Sequence, residues 1–483
     1  MGLMPAIALA QATLKGVIRQ DQKPVEFASV AIKGTSFGTT ADSIGTFQLL
    51  GLPAGKYTIL VSAIGYKPYQ QSVTLLENQA TAVAIQLEEA AGQLDEVVVT
   101  GTMKEVSKLA SPVPVDIITQ KFLYKNPVPS IFEALTYVNG VRPQLNCNVC
   151  NTGDIHINGL EGPYTMVLLD GTPIVSGLST VYGLVGIPNS LIERVEIVKG
   201  PASTLYGSEA VGGLINIITK NVNKAPAFSA DVFSSNWRDM NVDLGFKFSA
   251  GEKVASLLGV NYFNYQNPID NNGDGFTDLT LQHRISVFNK WSVQRPENRQ
   301  ASLAVRYFYE DRWGGQMHWT PVNRGGDQVY GESIYTKRLE AVGLYQLPTT
   351  EKLTVQYSLN SHDQNSFYGT TSYQATQKIA FGQLLWDKQL GKHSLLTGLP
   401  IRYTYYDDNT TATSAEGRSN QPERIFLPGF FVQDEMTSGA HKLLLGARYD
   451  YNSRHGNIFT PRLAYKYSLN QTDALRFNVG RGY

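Results

Sequence analysis

From Ala225 onward the chain alternates between apolar and charged residues over stretches longer than ordinary strands, and this restricts its fold more than any other feature. Leu303, Val305, Tyr307 and Tyr309 fall on one face of such a stretch, with Ser302, Arg306 and Glu310 on the other. The dyad returns at Leu443, Leu445, Ala447, Tyr449 and Tyr451 against Lys442, Arg448 and Asp450, and at Leu463, Tyr465 and Tyr467 against Arg462 and Lys466. Successive side chains of a strand point to opposite faces, so each segment has one apolar, tyrosine-tipped face and one charged face. A wall between lipid and a wet lumen requires that arrangement. A soluble sandwich also alternates, but it hides its apolar face and seldom ends long strands in the tyrosines that form interfacial girdles.

The connections alternate too. Ala250 to Lys253, Arg295 to Arg299, Gly391 to His393 and Asn470 to Asp473 are short, whereas Asn267 to Asp278, Arg312 to Ser333 and Asp407 to Gln421 are long. Short turns on one side and long loops on the other are the plan of an outer-membrane barrel. About a dozen strands are expected in this region, against the ~22 of a plugged transporter barrel. Because the last residues, ALRFNVGRGY, stop inside what reads as a strand, the natural gene is expected to continue for roughly nine or ten further strands.

Composition removes other classes. The 483 residues suggest about three domains. Lys and Arg total 41 against 41 Asp and Glu, so there is no basic footprint for nucleic acid. No run of about 18 apolar residues offers a helical span. The seven histidines are scattered and neither HExxH nor GxSxG occurs, which argues against an enzyme. Gly51 to Lys56 (GLPAGK) is too short between its glycines for a phosphate loop and has Tyr57 where Ser or Thr is needed, so it reads as a turn. Gly2 to Ala10 is apolar and ends Ala8-Leu9-Ala10, the small-x-small pattern of a signal-peptide cleavage site, although it lacks a basic start. Residues 1–10 are read as a signal-peptide remnant of an exported protein.

Between these ends, residues 11–90 alternate short strands with turns, as a small β-sandwich does. Ser130 to Val138 (SIFEALTYV) has helical apolar spacing at Ile131, Leu135 and Val138, with Ser130 as the expected cap. VLLDG reads as a buried strand entering an Asp170-Gly171 hairpin turn. Ile192 to Lys220 (IERVEIVKGPASTLYGSEAVGGLINIITK) reads strand, turn, short helix, glycine bend, strand, and its two β-branched runs are expected to close into one small sheet.

Three phrases of that last stretch, ERVEIVKGP, YGSEAVGG and INIITK, occur in the order seen at the end of the plug of TonB-dependent outer-membrane receptors, which the chain resembles from about Leu14 onward. The resemblance implies a carboxypeptidase-regulatory-like sandwich of the Bacteroidetes type at 11–90, a TonB-box segment at 93–102, a plug at 104–220 and the first part of a transmembrane β-barrel at 225–483. The fold class is therefore mainly β: a small β-sandwich, an α+β plug and an incomplete antiparallel barrel. The resemblance implies that Asp95, Glu96, Val97, Val98, Val99 and Thr100 bind TonB. A β-branched run can add itself as a strand to a partner's sheet edge, provided it is exposed, and an ordinary edge strand is the alternative. It also implies energisation through ExbB and ExbD, an outer-membrane location with the plug and sandwich facing the periplasm, and import of a scarce ligand such as a ferric siderophore (an iron chelate) or cobalamin. A SusC-like glycan importer is the runner-up. An exported calcium-binding β-domain adhesin is a rival of another class.

Two further groups of residues remain open. Cys147 and Cys150 are too sparsely accompanied for zinc, which would have only His156 nearby, and Asn151 stands where haem attachment needs His. A redox pair would want a βαβ setting. In an exported receptor of this family a disulfide is the expected state. Asp270, Asn272, Asp274, Phe276 and Asp278, with Gly275, match the first nine positions of a calcium loop, but Leu281 replaces its final bidentate Glu. Calcium and a plain Asx-rich turn fit these residues equally well.

Overall fold

The computed structural model of the protein describes residues 11–21, 23–63, 66–88, 97–147, 152–175, 184–207, 209–414, 420–470 and 472–483. The N-terminal part is a two-sheet sandwich. In one sheet Gln11–Gln20 lies between Thr46–Pro53, antiparallel to it, and Ala80–Gln86, parallel to it. The other has the order Gly38–Thr40, Ser29–Ile32, Gly55–Ser62, Tyr69–Leu75. Alternate residues of the facing strands, among them Leu14, Ile18, Val30, Ile32, Phe47, Ile59, Val61 and Ile85, fill the space between the sheets.

The plug is built on a five-stranded mixed sheet in the order Asp116–Thr119, Ile192–Lys199, Gly213–Thr219, Thr165–Leu169, Thr172–Val175. Its two inner neighbours are the β-branched runs of the Ile192 to Lys220 stretch, paired antiparallel with Val195 opposite Ile217 and Ile197 opposite Ile215. Both are covered on two faces: Ile192, Val195, Ile197, Leu214, Ile215 and Ile217 are all fully buried. Each contributes about 1.5–3 kcal/mol by leaving water. The Asp170-Gly171 turn forms as expected. Both residues have positive φ, 49° and 78°, as a two-residue hairpin turn requires, and Leu169 pairs with Thr172.

The helical spacing after Ser130 gives less helix than expected. Only Ile131–Ala134 is α-helical, and Leu135–Tyr137 tightens into a 3-10 turn. Ser130 makes no backbone cap, because its hydroxyl bonds the Glu133 carboxylate instead. A further short helix, Gln120–Lys125, is capped by Thr119, whose Oγ1 accepts from Phe122 N at 3.2 Å.

The wall is an antiparallel sheet of thirteen strands in strict sequence order, from Phe228–Ser234 to Ala474–Gly480, the longest being Thr371–Leu390 with 20 residues. Its first and last strands do not pair with each other, so it is an incomplete barrel. One face carries exposed apolar residues such as Leu339, Leu359, Leu399 and Tyr307. The opposite face departs from expectation. A charged face was expected to look into a wet lumen, yet Arg306, Glu310, Arg338, Glu340, Arg448, Asp450 and Arg462 are all buried. The plug occupies the space they face, and strand alternation alone cannot distinguish a filled lumen from an open one.

Candidate functional site

Two sets of contacts define how the plug is held. The first joins it to the wall. Four buried wall arginines are neutralised within the wall: Arg306 and Arg338 share Glu340, Arg312 bonds Glu310, and Arg448 binds Asp450 through two nitrogens at 2.6 and 2.8 Å. Pairing removes most of the cost of a buried charge and leaves spare N–H groups for other acceptors. Those spare groups reach plug carbonyls. Arg338 Nη2 donates to Ile174 O at 2.6 Å, Arg448 Nη1 to Leu205 O at 3.1 Å and Arg284 Nη2 to Pro129 O at 2.9 Å. Ser358 Oγ reaches Pro173 O at 2.6 Å, and plug Thr204 Oγ1 donates to Thr460 O of the wall at 3.0 Å. Ion pairs add Lys104 with Asp387, Lys290 with Asp170 and a two-pronged Arg402 with Glu209.

The second set joins the plug to the partner-binding segment implied by resemblance. Asp95 and Glu96 lie outside the described residues. Val97–Val98 pairs with Val106–Ser107 in a two-residue antiparallel ladder. The expected free, exposed strand is not what residues 97–100 form: Val97 is 42% exposed, but Val98 and Thr100 are buried. Val98 packs in an apolar cluster with Val113, Val115, Val198 and Leu205, and a carboxylate holds the next two residues. Glu196, fully buried in the strand Ile192–Lys199, accepts from Val99 N at 2.9 Å, Thr100 N at 2.8 Å and Thr100 Oγ1 at 2.5 Å through the same oxygen. Its other oxygen takes Arg194 Nε at 2.8 Å. Asn216, opposite Glu196 in the neighbouring strand, donates to Thr100 Oγ1 at 2.9 Å, and Tyr206 donates to Thr100 O at 3.0 Å. Burial, with Glu196 close by, raises the Tyr206 phenol well above its ordinary range, so it stays a neutral donor.

This node was missed in the sequence. Its signal was present as Val195-Glu196-Ile197-Val198, a carboxylate inside a run buried on both faces, where an acid stands only if several donors meet it. Glu209, in the phrase YGSEAVGG, carries no sequence signal of its pairing with Arg402.

The remaining candidate residues are placed as follows. Cys147 ends the strand Val141–Cys147, while its side chain and Cys150 lie outside the described residues. In the calcium-like loop the acceptors are turned onto loop amides. Asp270 takes Gly273 N, Asp274 N and Gly275 N at 2.7 to 3.1 Å, Asp274 takes Phe276 N at 2.8 Å and Asp278 takes Asn271 N at 2.8 Å. Asn272 Oδ1 accepts from Asp274 N. Among the described residues no three His, Cys, Asp or Glu side chains gather as a metal site would have them.

Comparisons with known proteins bear on all three parts. A family model described as TonB dependent receptor-like, beta-barrel, matches residues 231–483, more than half the chain. The TonB-dependent Receptor Plug Domain matches 107–214, and a CarboxypepD_reg-like domain matches 14–99. Among solved structures, the FpvAI–pyocin S2 complex is similar with a TM-score of 0.63 at 14% identity, over 82% of this chain and 62% of that one. A mutant of the ferric enterobactin receptor PfeA from Pseudomonas aeruginosa gives 0.61 at 17% identity, over 80% and 63%. The siderophore receptor PirA of Acinetobacter baumannii gives 0.59 at 18%, over 76% and 61%. This chain thus spans less than two thirds of the length of these structures, and at such identities the likeness is one of fold.

Proposed function

The chain belongs to the TonB-dependent receptor family, and on that premise we propose that it takes part in energised import of a scarce small ligand, of the ferric siderophore or cobalamin kind, across the outer membrane. The observation that carries this reading is the Thr100 junction. Residues 97–100 are tied to the core sheet of the plug through Glu196, not to a peripheral loop, so a partner that captures this strand pulls on the sheet that fills the lumen. In this reading TonB, driven through ExbB and ExbD, pairs with Asp95 to Thr100 as an added strand. The ladder with Val106–Ser107 parts first, having only two residues, and the bonds to Glu196 part next. Release of Thr100 leaves one oxygen of Glu196 and the amide nitrogen of Asn216 unsatisfied in the core, which favours rearrangement of the strands carrying them. The siderophore class is preferred for the ligand because the similar solved structures include receptors named for ferric enterobactin and siderophores.

The test is accumulation of labelled ferric chelates and cobalamin by cells expressing the protein, with and without TonB. Accumulation confined to cells with TonB is expected. Equal accumulation without TonB, or accumulation of a labelled oligosaccharide in place of the chelates, contradicts the reading.

A further inference from the structure

One wall strand presents the plug with a face unlike the others. In Lys352–Tyr368 the side chains of Ser358 and Asn360 reach the plug, so every second residue from Thr354 to Ser366 faces the lumen. That set reads Thr, Gln, Ser, Asn, His, Gln, Ser: hydroxyls, carboxamides and one imidazole, with no apolar side chain and no carboxylate, ammonium or guanidinium. The strand Ala301–Gly315 instead turns Ala304, Arg306, Phe308 and Glu310 inward, and His441–Asn452 turns Leu444, Arg448 and Asp450. Thr354 to Ser366 makes about 40 Å of strand, which at a tilt of ~45° covers nearly all of a ~30 Å hydrocarbon core. The polar face is therefore a track of almost full wall height.

Adhesion to the plug is weak along this track. Thr336 Oγ1, Arg338 Nη1, Asn360 Oδ1, Gln364 Oε1 and Gln377 Oε1 are buried and meet no hydrogen-bond partner among the described residues. Register places them together: Thr336 stands opposite Gln364, and Arg338 and Gln377 stand on either side of His362. Ser286, Gln433 and Thr460 also carry buried unpartnered atoms, but on three strands that do not adjoin. Each such atom penalises the closed contact, and water or a polar ligand relieves it when the contact opens. The plug side of the seam is weak as well. Ser358 and Asn360 face Thr172–Val175, the edge strand of the plug sheet, which holds Pro173, pairs on one side only and has a break in its register.

We propose that the plug parts from the wall at this seam and that the imported ligand passes between the track and the plug's edge strand, exchanging hydrogen bonds with the hydroxyls and carboxamides on its way. The lining suits a small molecule rich in hydroxyl or amide groups and gives no hold to an apolar one, and Arg338 Nη1 adds a cationic donor for an acidic oxygen. The route rests on the import reading, whereas the weakness of the seam does not.

The seam is tested on the purified chain carrying Cys147→Ser and Cys150→Ser, into which Thr336→Cys or Ala304→Cys is placed as a probe. Both positions are buried on the lumen face, but Ala304 belongs to the apolar cluster shared by plug and wall. Methyl methanethiosulfonate is expected to label Thr336→Cys at least tenfold faster than Ala304→Cys. Adding Gln377→Met removes one unpartnered acceptor and should slow labelling of Thr336→Cys about tenfold. Equal labelling of the two probes, or labelling not slowed by Gln377→Met, overturns the proposal. In cells, Gln364→Met with Gln377→Met is expected to cut accumulation of a labelled ferric chelate about tenfold while surface binding persists. Undiminished accumulation in that variant overturns the route and leaves import standing. No accumulation by the unaltered protein removes the import reading and the route with it.

Discussion

The plug is held by two contacts of opposite design. Against the wall the grip is distributed: Arg284, Arg338, Arg448, Ser358 and Thr204 each make separate bonds across the interface, and three ion pairs add to them. At Thr100 the grip is concentrated, with three donors on a single oxygen of Glu196. A distributed grip survives the loss of any one member, whereas at Thr100 loss of one acceptor removes three bonds and leaves those from Tyr206 and Asn216. On the proposed import reading, the difference suits a plug that stays seated in the wall until a pull arrives at one place.

The strongest way to break this comparison is Val98→Pro. Proline removes the N–H of a residue that pairs with Val106 and blocks strand addition by a partner. Uptake is expected to fall to background while ligand binding at the cell surface persists, and the paired assays check both halves. Glu196→Ala comes next. It strips the acceptor from two amides and one hydroxyl, at a cost of about 3 kcal/mol to the junction. Hydrogen exchange should then speed up roughly a hundredfold at the Val99 and Thr100 amides, with little change along the wall strands.

What could be read from the sequence divides along the same line. The wall strands and the Ile192 to Lys220 sheet were legible because side-chain alternation and β-branched runs are local signals. The Asp170-Gly171 turn was legible because its two positive φ angles favour such residues. The helix Gln120–Lys125 was not, since six residues are too few to show a helical period. Nor was the burial of Arg306, Glu310 and Arg338, because a strand's own pattern does not tell what stands opposite it. The Thr100 junction depends on Glu196, nearly a hundred residues away, and the valine run by itself suggested a free strand.

Smaller effects sharpen the contrast. Tyr206→Phe removes one neutral hydrogen bond to Thr100 O, so the junction should weaken by about 1 kcal/mol, read as a severalfold faster exchange at the same amides. Arg338→Ala, on the distributed side, should have the least consequence for the plug. Glu340 keeps Arg306, and Ile174 O keeps its bond from Asn360 at 3.1 Å. Limited proteolysis of the plug is expected to be unchanged; rapid cleavage would show that the wall grip is not distributed.

The central proposal is that Glu196 restrains residues 97–100 against capture by TonB. It is tested most directly by the affinity of the purified TonB periplasmic domain for the unaltered chain, for Glu196→Ala and for Val98→Pro, measured side by side by titration in one detergent. Removing the restraint should tighten binding about tenfold or more in Glu196→Ala, and Val98→Pro should bind weakly or not at all. Unchanged affinity in Glu196→Ala, or full binding by Val98→Pro, would contradict the account.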